Sequence, residues 1–219
     1  MALAIFDLDN TLINGDSDHA WGEFLCDKGL VDPQVYRDAN DYFYQQYVDG
    51  SMDINEFLRF ALKPLKDNSM AQLKTWHLDF MQTKILPIMQ PLALQKLAMH
   101  RERGDFILII TATNLFVTEP IAKLLQVDDI IATAPEIIDG EYTGEYLGTA
   151  CFQGGKNIRL KQWLQDNPHD LQGSYFYSDS RNDLPLLEIV DNPVAVDADP
   201  YLTQVAKDKG WPILSFRED

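Results

Sequence analysis

The chain opens on an apolar run, Leu3–Phe6, with the length and bulk of a short buried strand, and the run stops at two acids, Asp7 and Asp9, with Leu8 between them. After that, apolar positions recur at helical rather than alternating spacing. Gly15 breaks the chain, Asp16, Ser17 or Asp18 caps a helix carrying Trp21, Phe24 and Leu25, and Gly29 closes it. Residues 33–47 repeat the pattern through Val35, Tyr36, Ala39, Tyr42, Phe43 and Tyr47, and Gly50 stops them. Ser51 or Asp53 caps a third helix (Ile54, Phe57, Leu58, Ala61) that Pro64 is expected to end, and Ser69 caps a fourth through Leu73, Trp76, Phe80 and Met81.

Residues 16–84 therefore read as helices without a strand, and beyond them the pattern changes. A helix at 91–103, with Leu92, Leu97 and Ala98 on its apolar side, ends at Gly104. Phe106 to Ile110 then form an unbroken apolar run suited to a parallel strand buried on both faces. A helix at 117–125, a strand at 130–132, a hairpin turning at Asp139-Gly140 and a helix from Lys156 through Leu164 follow. A strand at 174–177 leads into Ser178-Asp179, then come a helix at 184–190 and strands at 194–196 and 211–214. The predicted class is α/β: a three-layer, Rossmann-like core with a mainly parallel sheet, formed by residues 1–15 and 85–219, and an inserted all-helical cap at 16–84.

Composition narrows the partners. The 219 residues suffice for one core, or for a core and a smaller insert, and 46% hydrophobic with 24% charged residues is ordinary for a globular chain. A net charge of -16 opposes nucleic acid and anionic membrane alike. An anionic substrate would then need local positive charge from a metal or a specific lysine. Two cysteines, Cys26 and Cys151, are too few for a disulfide framework and read as buried thiols in a reducing compartment. Asp7 and Asp9 stand where a signal peptide needs its apolar core, and no apolar run approaches the roughly 18 residues of a membrane span. A soluble cytoplasmic protein is expected, and both a monomer and a homodimer accord with the sequence.

In an extended chain Asp7 and Asp9 point the same way, and two like charges held that close need a cation or a proton between them. In an open parallel sheet, ligands sit beyond the carboxyl ends of the strands, where this chain delivers Asp7 and Asp9, Thr111 and Asp179. The bland alternative is a polar loop opened by Asp9-Asn10 as turn formers.

Asp7-x-Asp9-x-Thr11, Thr111 after a buried strand, Lys156, and Ser178-Asp179-Ser180-Arg181-Asn182-Asp183 resemble, in order and context, the four motifs of the haloacid dehalogenase-like phosphatase superfamily. The helical insert resembles the subfamily that contains phosphoserine phosphatase. The resemblance implies Asp7 as a nucleophile that forms an aspartyl-phosphate, and Asp9 as general acid and then base. It implies Mg²⁺ held by Asp7, Asp179 and the backbone carbonyl of Asp9, with Asp183 as ligand or support. Lys156 would be the second cation, Thr111 a hydroxyl donor to a phosphate oxygen, and Thr113, Asn114 and Asn182 further substrate contacts. The chain departs from phosphoserine phosphatases at Ala112-Thr113-Asn114 and at Ser178, where they place small residues and glycine. Both departures bear on the substrate rather than on the reaction.

The cap would select that substrate. Asp16, Asp18 and Glu23 could hold a cationic group, although Asp16 and Asp18 equally suit a helix cap. The stretch Asp16-Ser-Asp-His-Ala-Trp21 resembles the stand-alone histidinol-phosphatases of the subfamily, which makes histidinol phosphate the expected small-molecule phosphate monoester. Phosphoserine, a phosphotransferase or mutase reaction, and a non-catalytic binding protein on the same fold are the alternatives. His19, His77, His100 and His169 lack ligand spacing, and Tyr42, Phe43, Tyr44 and Tyr47 read as cap packing rather than a base-stacking platform.

Overall fold

A computed structural model describes residues 2–217. Its strands are β1 (Leu3–Phe6), β2 (Phe106–Asn114), β3 (Asp129–Ile138), β4 (Glu141–Leu147), β5 (Tyr175–Ser178), β6 (Asn192–Val196) and β7 (Ile213–Leu214). They form one sheet in the order β4-β3-β2-β1-β5-β6-β7, parallel throughout except for β4, which returns antiparallel along β3 from the turn at Asp139-Gly140. The helices are α1 (Ser17–Asp27), α2 (Pro33–Asp49), α3 (Ile54–Lys66), α4 (Met70–Phe80), α5 (Pro91–Glu102), α6 (Leu115–Leu125), α7 (Gly154–Asp166), α8 (Leu184–Leu187) and α9 (Pro200–Lys209).

All four residues of β1 are apolar, so both of its faces demand cover, and it lies at the middle of the sheet. The pleat sends Ala4 and Phe6 into one apolar cluster with Ile107, Ile109 and Tyr177, and Leu3 and Ile5 into another with Leu108, Ile110 and Phe176. These two clusters make the predicted α/β fold three layers deep. A third, smaller cluster joins Leu58, Leu62 and Leu65 of α3 to Leu73 and Ala150, with Tyr142 and Tyr146 of β4 packed on it. No helix among the described residues is long and apolar enough to cross a membrane.

From β1 the chain winds outward through β2 and β3, then returns past β1 to build β5, β6 and β7 on the other side. The strand order reverses at β1, which opens a crevice beyond its carboxyl end. All four chain segments singled out above reach that edge.

The structure differs from expectation in several elements. Pro64 does not end α3, which runs to Lys66. A proline removes a single ladder donor, and the remaining turn is closed by Asp67 N on Lys63 O at 3.0 Å and by the Asn68 side chain on Pro64 O at 2.9 Å. Strand β2 extends to Asn114, past a register shift between Ile110 and Asn114, and the helix expected at 184–190 is only α8. His77 and His100 are core groups: His77 Nε2 meets Val117 O at 3.1 Å, and His100 lies between Asp105 Oδ2 and Tyr177 Oη, each 2.9 Å away.

Candidate active site

Asp7 follows β1 directly, its N–H still donating to Tyr177 O on β5 at 2.9 Å, and the residue is 2% exposed. Three residues later the chain turns back through Asn10, at φ 55, a left-handed value that asparagine tolerates better than most residues. That turn sets Asp9 beneath the first turn of α1. Asp9 Oδ1 accepts from Ser17 N at 2.6 Å, and Oδ2 accepts from the hydroxyls of Thr113 at 2.9 Å and Thr111 at 3.4 Å. Thr111 and Thr113, spaced by two along β2, thus hold Asp9 together. Thr11 has a similar task, since its hydroxyl accepts from Asp179 N at 3.1 Å and donates to Asp179 Oδ1 at 3.2 Å.

Lys156, in the first turn of α7, is 1% exposed. Its Nζ lies 2.9 Å from Asp7 Oδ1 and 2.7 Å from Asp183 Oδ1, and Ser178 Oγ donates to Asp183 Oδ2 at 2.7 Å. Asp183 therefore anchors the lysine. Gly155 makes room for this turn, because a Cβ there would stand 2.0 Å from Ala150 O.

The charges do not balance. Burial pushes the Asp7 carboxyl up, with Lys156 opposing and Asp183 and Asp9 adding to the rise. Asp9 is pushed up to about 6 by burial and by the charge of Asp16, against hydrogen bonds from Ser17 and Thr113. Asp179 stands well above the ordinary carboxylate range for the same first reason, together with the charges of Asp7 and Asp183. Burial alone would lower the Lys156 ammonium, but Asp183 and Asp7 outweigh it and keep the lysine charged. One buried cation faces a ring of carboxylates.

A divalent ion suits that donor set, since hard carboxylate oxygens are what Mg²⁺ prefers and its charge would relieve the repulsion. Among the described residues no group of three or more Asp, Glu, His or Cys side chains is placed to hold a metal ion. Mg²⁺ needs fewer, since it binds through one or two carboxylates while keeping waters and taking substrate oxygens.

Above the carboxylates lies a cavity of about 40 Å³, room for roughly three waters. Its floor is Asp7, Asp9, Thr111 and Thr113, and one side is Asp16, Asp18, His19 and Asn40. The other side is an apolar wall of Phe43, Tyr44, Tyr47, Met52 and Phe57 from α2, α3 and the turn between them. Among these described lining residues none is lysine or arginine.

Asp16 both lines the cavity and caps α1, its Oδ1 accepting from Asp18 N at 2.9 Å and His19 N at 2.8 Å. Asp18 accepts from Asn114 Nδ2 at 3.2 Å, while Asn114 Oδ1 caps α6 by accepting from Val117 N. Asn182 is likewise engaged by protein, through Tyr47 O and Gln153. Glu23 does not reach the cavity; it pairs with Arg37 at 3.2 Å on the outside of α1.

The aromatic wall is what the sequence did not assign to the site. Phe43, Tyr44 and Tyr47 share a helical stripe, but a stripe looks the same whether it faces a core or a cavity.

The family model for haloacid dehalogenase-like hydrolases matches residues 4–188. A histidinol-phosphatase of Neisseria meningitidis serogroup C (strain 8013) is 47% identical over 219 residues, spanning 98% of this chain and 99% of that protein. A crystal structure of a protein from Bordetella pertussis Tohama I superposes with a TM-score of 0.93 at 40% identity, covering 99% of each chain. A substrate-bound phosphoserine phosphatase shares the fold, with a TM-score of 0.72 at 17% identity over 100% of this chain and 94% of the other.

Proposed function

The chain belongs to the haloacid dehalogenase-like hydrolase family and is a phosphatase, and from that premise we propose that it hydrolyses histidinol phosphate through an aspartyl-phosphate on Asp7. The observation that carries this is the buried pairing of Asp7 with Lys156 beside Asp9, which puts one carboxylate against a cation and another where protons can be exchanged.

In the proposed reaction, Asp7 attacks phosphorus in line, and the ester P–O bond breaks as the Asp7–phosphorus bond forms. Asp9 gives its proton to the departing alkoxide. Water then transfers a proton to Asp9 and attacks the same phosphorus, releasing phosphate and restoring the Asp7 carboxylate. A carboxyl pushed up to about 6 suits both halves of that exchange. Lys156 steadies the nucleophile and adds positive charge near the phosphate oxygens. Thr111 and Thr113 orient Asp9 as well as lining the floor.

Asp7, Asp179 and the Asp9 carbonyl are the groups that would hold Mg²⁺, with Asp183 behind them. When bound, the ion supplies the positive charge that lets a carboxylate approach a phosphate dianion. We expect Mg²⁺ to raise the melting temperature. At 100 times its dissociation constant the gain is about 2.7 kcal/mol, and Asp179→Asn should abolish it. A wild-type melting curve indifferent to Mg²⁺ would count against the site.

Residues 16–84 are proposed as the cap and residues 1–15 with 85–219 as the catalytic core. The cavity supports a leaving group that carries an ammonium and no carboxylate. Asp16 and Asp18 attract the first, and among the described lining residues no lysine or arginine would receive the second. Phosphoserine carries both groups. Turnover of histidinol phosphate should therefore exceed that of phosphoserine by on the order of 100-fold in kcat/KM. Equal, trace release from both would remove this substrate. Cys26 and Cys151 are both free and buried, which fits a reducing cytoplasm as the place of reaction.

A further inference from the structure

Gln153, in the loop before α7, has φ 45 and ψ -122, a conformation that glycine adopts and other residues avoid. What it gains is a position. Its Nε2 lies 3.1 Å from Asn182 Oδ1 and 3.4 Å from Gly50 O. Asn182 in turn donates from Nδ2 to Tyr47 O at 2.9 Å.

Tyr47 and Gly50 lie at the carboxyl end of α2, where a helix leaves carbonyls without an intrahelical partner. Tyr47 O takes the Gly50 N–H at 3.1 Å and the Asn182 amide as a second donor, while Gly50 O takes Gln153. The two segments are in ordinary contact, a Cβ on Gly50 standing 3.4 Å from Asn182 Oδ1, and Gly50 itself turns the chain at φ 74. The Tyr47 ring also lies against Phe152, with centroids 6.0 Å apart.

The supports come from the two loops that carry the chemistry. Gln153 precedes Lys156 by three residues, and Asn182 adjoins Asp183. Tyr47 lines the cavity, and its phenol is pushed well above its ordinary value by burial and by the charges of Asp7, Asp179 and Asp183. The aromatic wall bounds the space open to a leaving group, so where Tyr47 is seated bears on what that space accepts.

We propose that Gln153 and Asn182 form a clasp that seats the last turn of α2, and with it Tyr47, against the catalytic edge, making Gln153 a positioning residue for the leaving group. The kinetic half of this rests on the phosphatase reading, and the structural half on geometry alone.

Two variants separate the halves. Gln153→Met keeps the length but not the donor, and Gln153→Gly removes both the amide and the backbone strain. In both, hydrogen exchange at the Gly50 and Ser51 amides, which bond to Tyr47 O and Gln46 O, should quicken about 10-fold. KM for histidinol phosphate should rise about 5-fold or more with kcat within about 2-fold, the sign of lost binding rather than lost chemistry. Gln153→Gly should melt no lower than the wild type, which a purely structural role would not give. Exchange at the wild-type rate in both variants, or faster exchange with KM unchanged, overturns the clasp. If the wild type released phosphate from no monoester, the phosphatase reading would fall and the exchange comparison would still decide the clasp.

Discussion

Asp7→Asn is expected to lower kcat by about 10,000-fold or more while leaving the fold intact. An amide has the shape of the carboxylate without its nucleophilicity, and losing the attacking group of a covalent mechanism removes most of the catalysis at once. The effect on stability runs the other way. Asp7 is 2% exposed, and burial together with Asp183 and Asp9 opposes its charge by more than Lys156 supports it, while Lys156 keeps Asp183 as a partner when Asp7 is neutralised. A neutral side chain there relieves repulsion, so the melting temperature should hold or rise, as when a strained functional group is removed from an active site. A variant that lost activity together with its fold would point to a structural role instead. Steady-state phosphate release and a thermal melt on the same preparation distinguish the two.

Lys156→Met should damage both properties. The lysine is 1% exposed and pairs with Asp7 and Asp183, so its removal strands two buried carboxylates. Breaking a buried pair from one side costs about 3–5 kcal/mol, more than an exposed pair would. Asp183→Asn added to Lys156→Met should restore part of that loss, because the second change neutralises one stranded charge. Lys156→Arg should not rescue, since a planar guanidinium does not fit a space shaped for a compact ammonium beside Phe176. Chemical denaturation of the single and double variants measures the coupling. Strictly additive losses would mean that Lys156 and Asp183 do not act on each other.

Much of this site is legible in the chain because strand ends and acids coincide. An apolar run that stops at Asp7 and Asp9, and others that stop at Thr111 and Asp179, announce one edge once the sheet is known to be parallel. What escapes is whatever depends on long-range partners. Lys156 has the pattern of an exposed lysine in a first helical turn, and it takes Asp7, Asp183 and the bare backbone of Gly155 to explain why it is inside. Glu23 looks as suited to a substrate as Asp16 until Arg37, one helix away, takes it. Thr111 and Thr113 are two residues apart on one strand, so their shared direction is readable, but that they meet Asp9 is not.

The helices show the same division. The end of α2 at Gly50 follows from local chemistry, a left-handed glycine at the carboxyl end. Helix α9 has little periodic signal because its buried positions, Leu202 and Ala206, are sparse, although Asp199, Pro200 and Gly210 mark its two ends. Pro64 is the opposite case, a strong local signal with little effect. A helix breaker one turn from the end of α3 has little left to break.

If Asp7 carries the phosphoryl group in mid-reaction, rapid acid quenching of the enzyme during turnover of histidinol phosphate, followed by peptide mapping, should trap it there. A phosphoryl adduct is expected on the peptide that holds Asp7, labile to hydroxylamine and missing from Asp7→Asn. Steady phosphate release with no adduct on that peptide, or an adduct that persists in the variant, would contradict it.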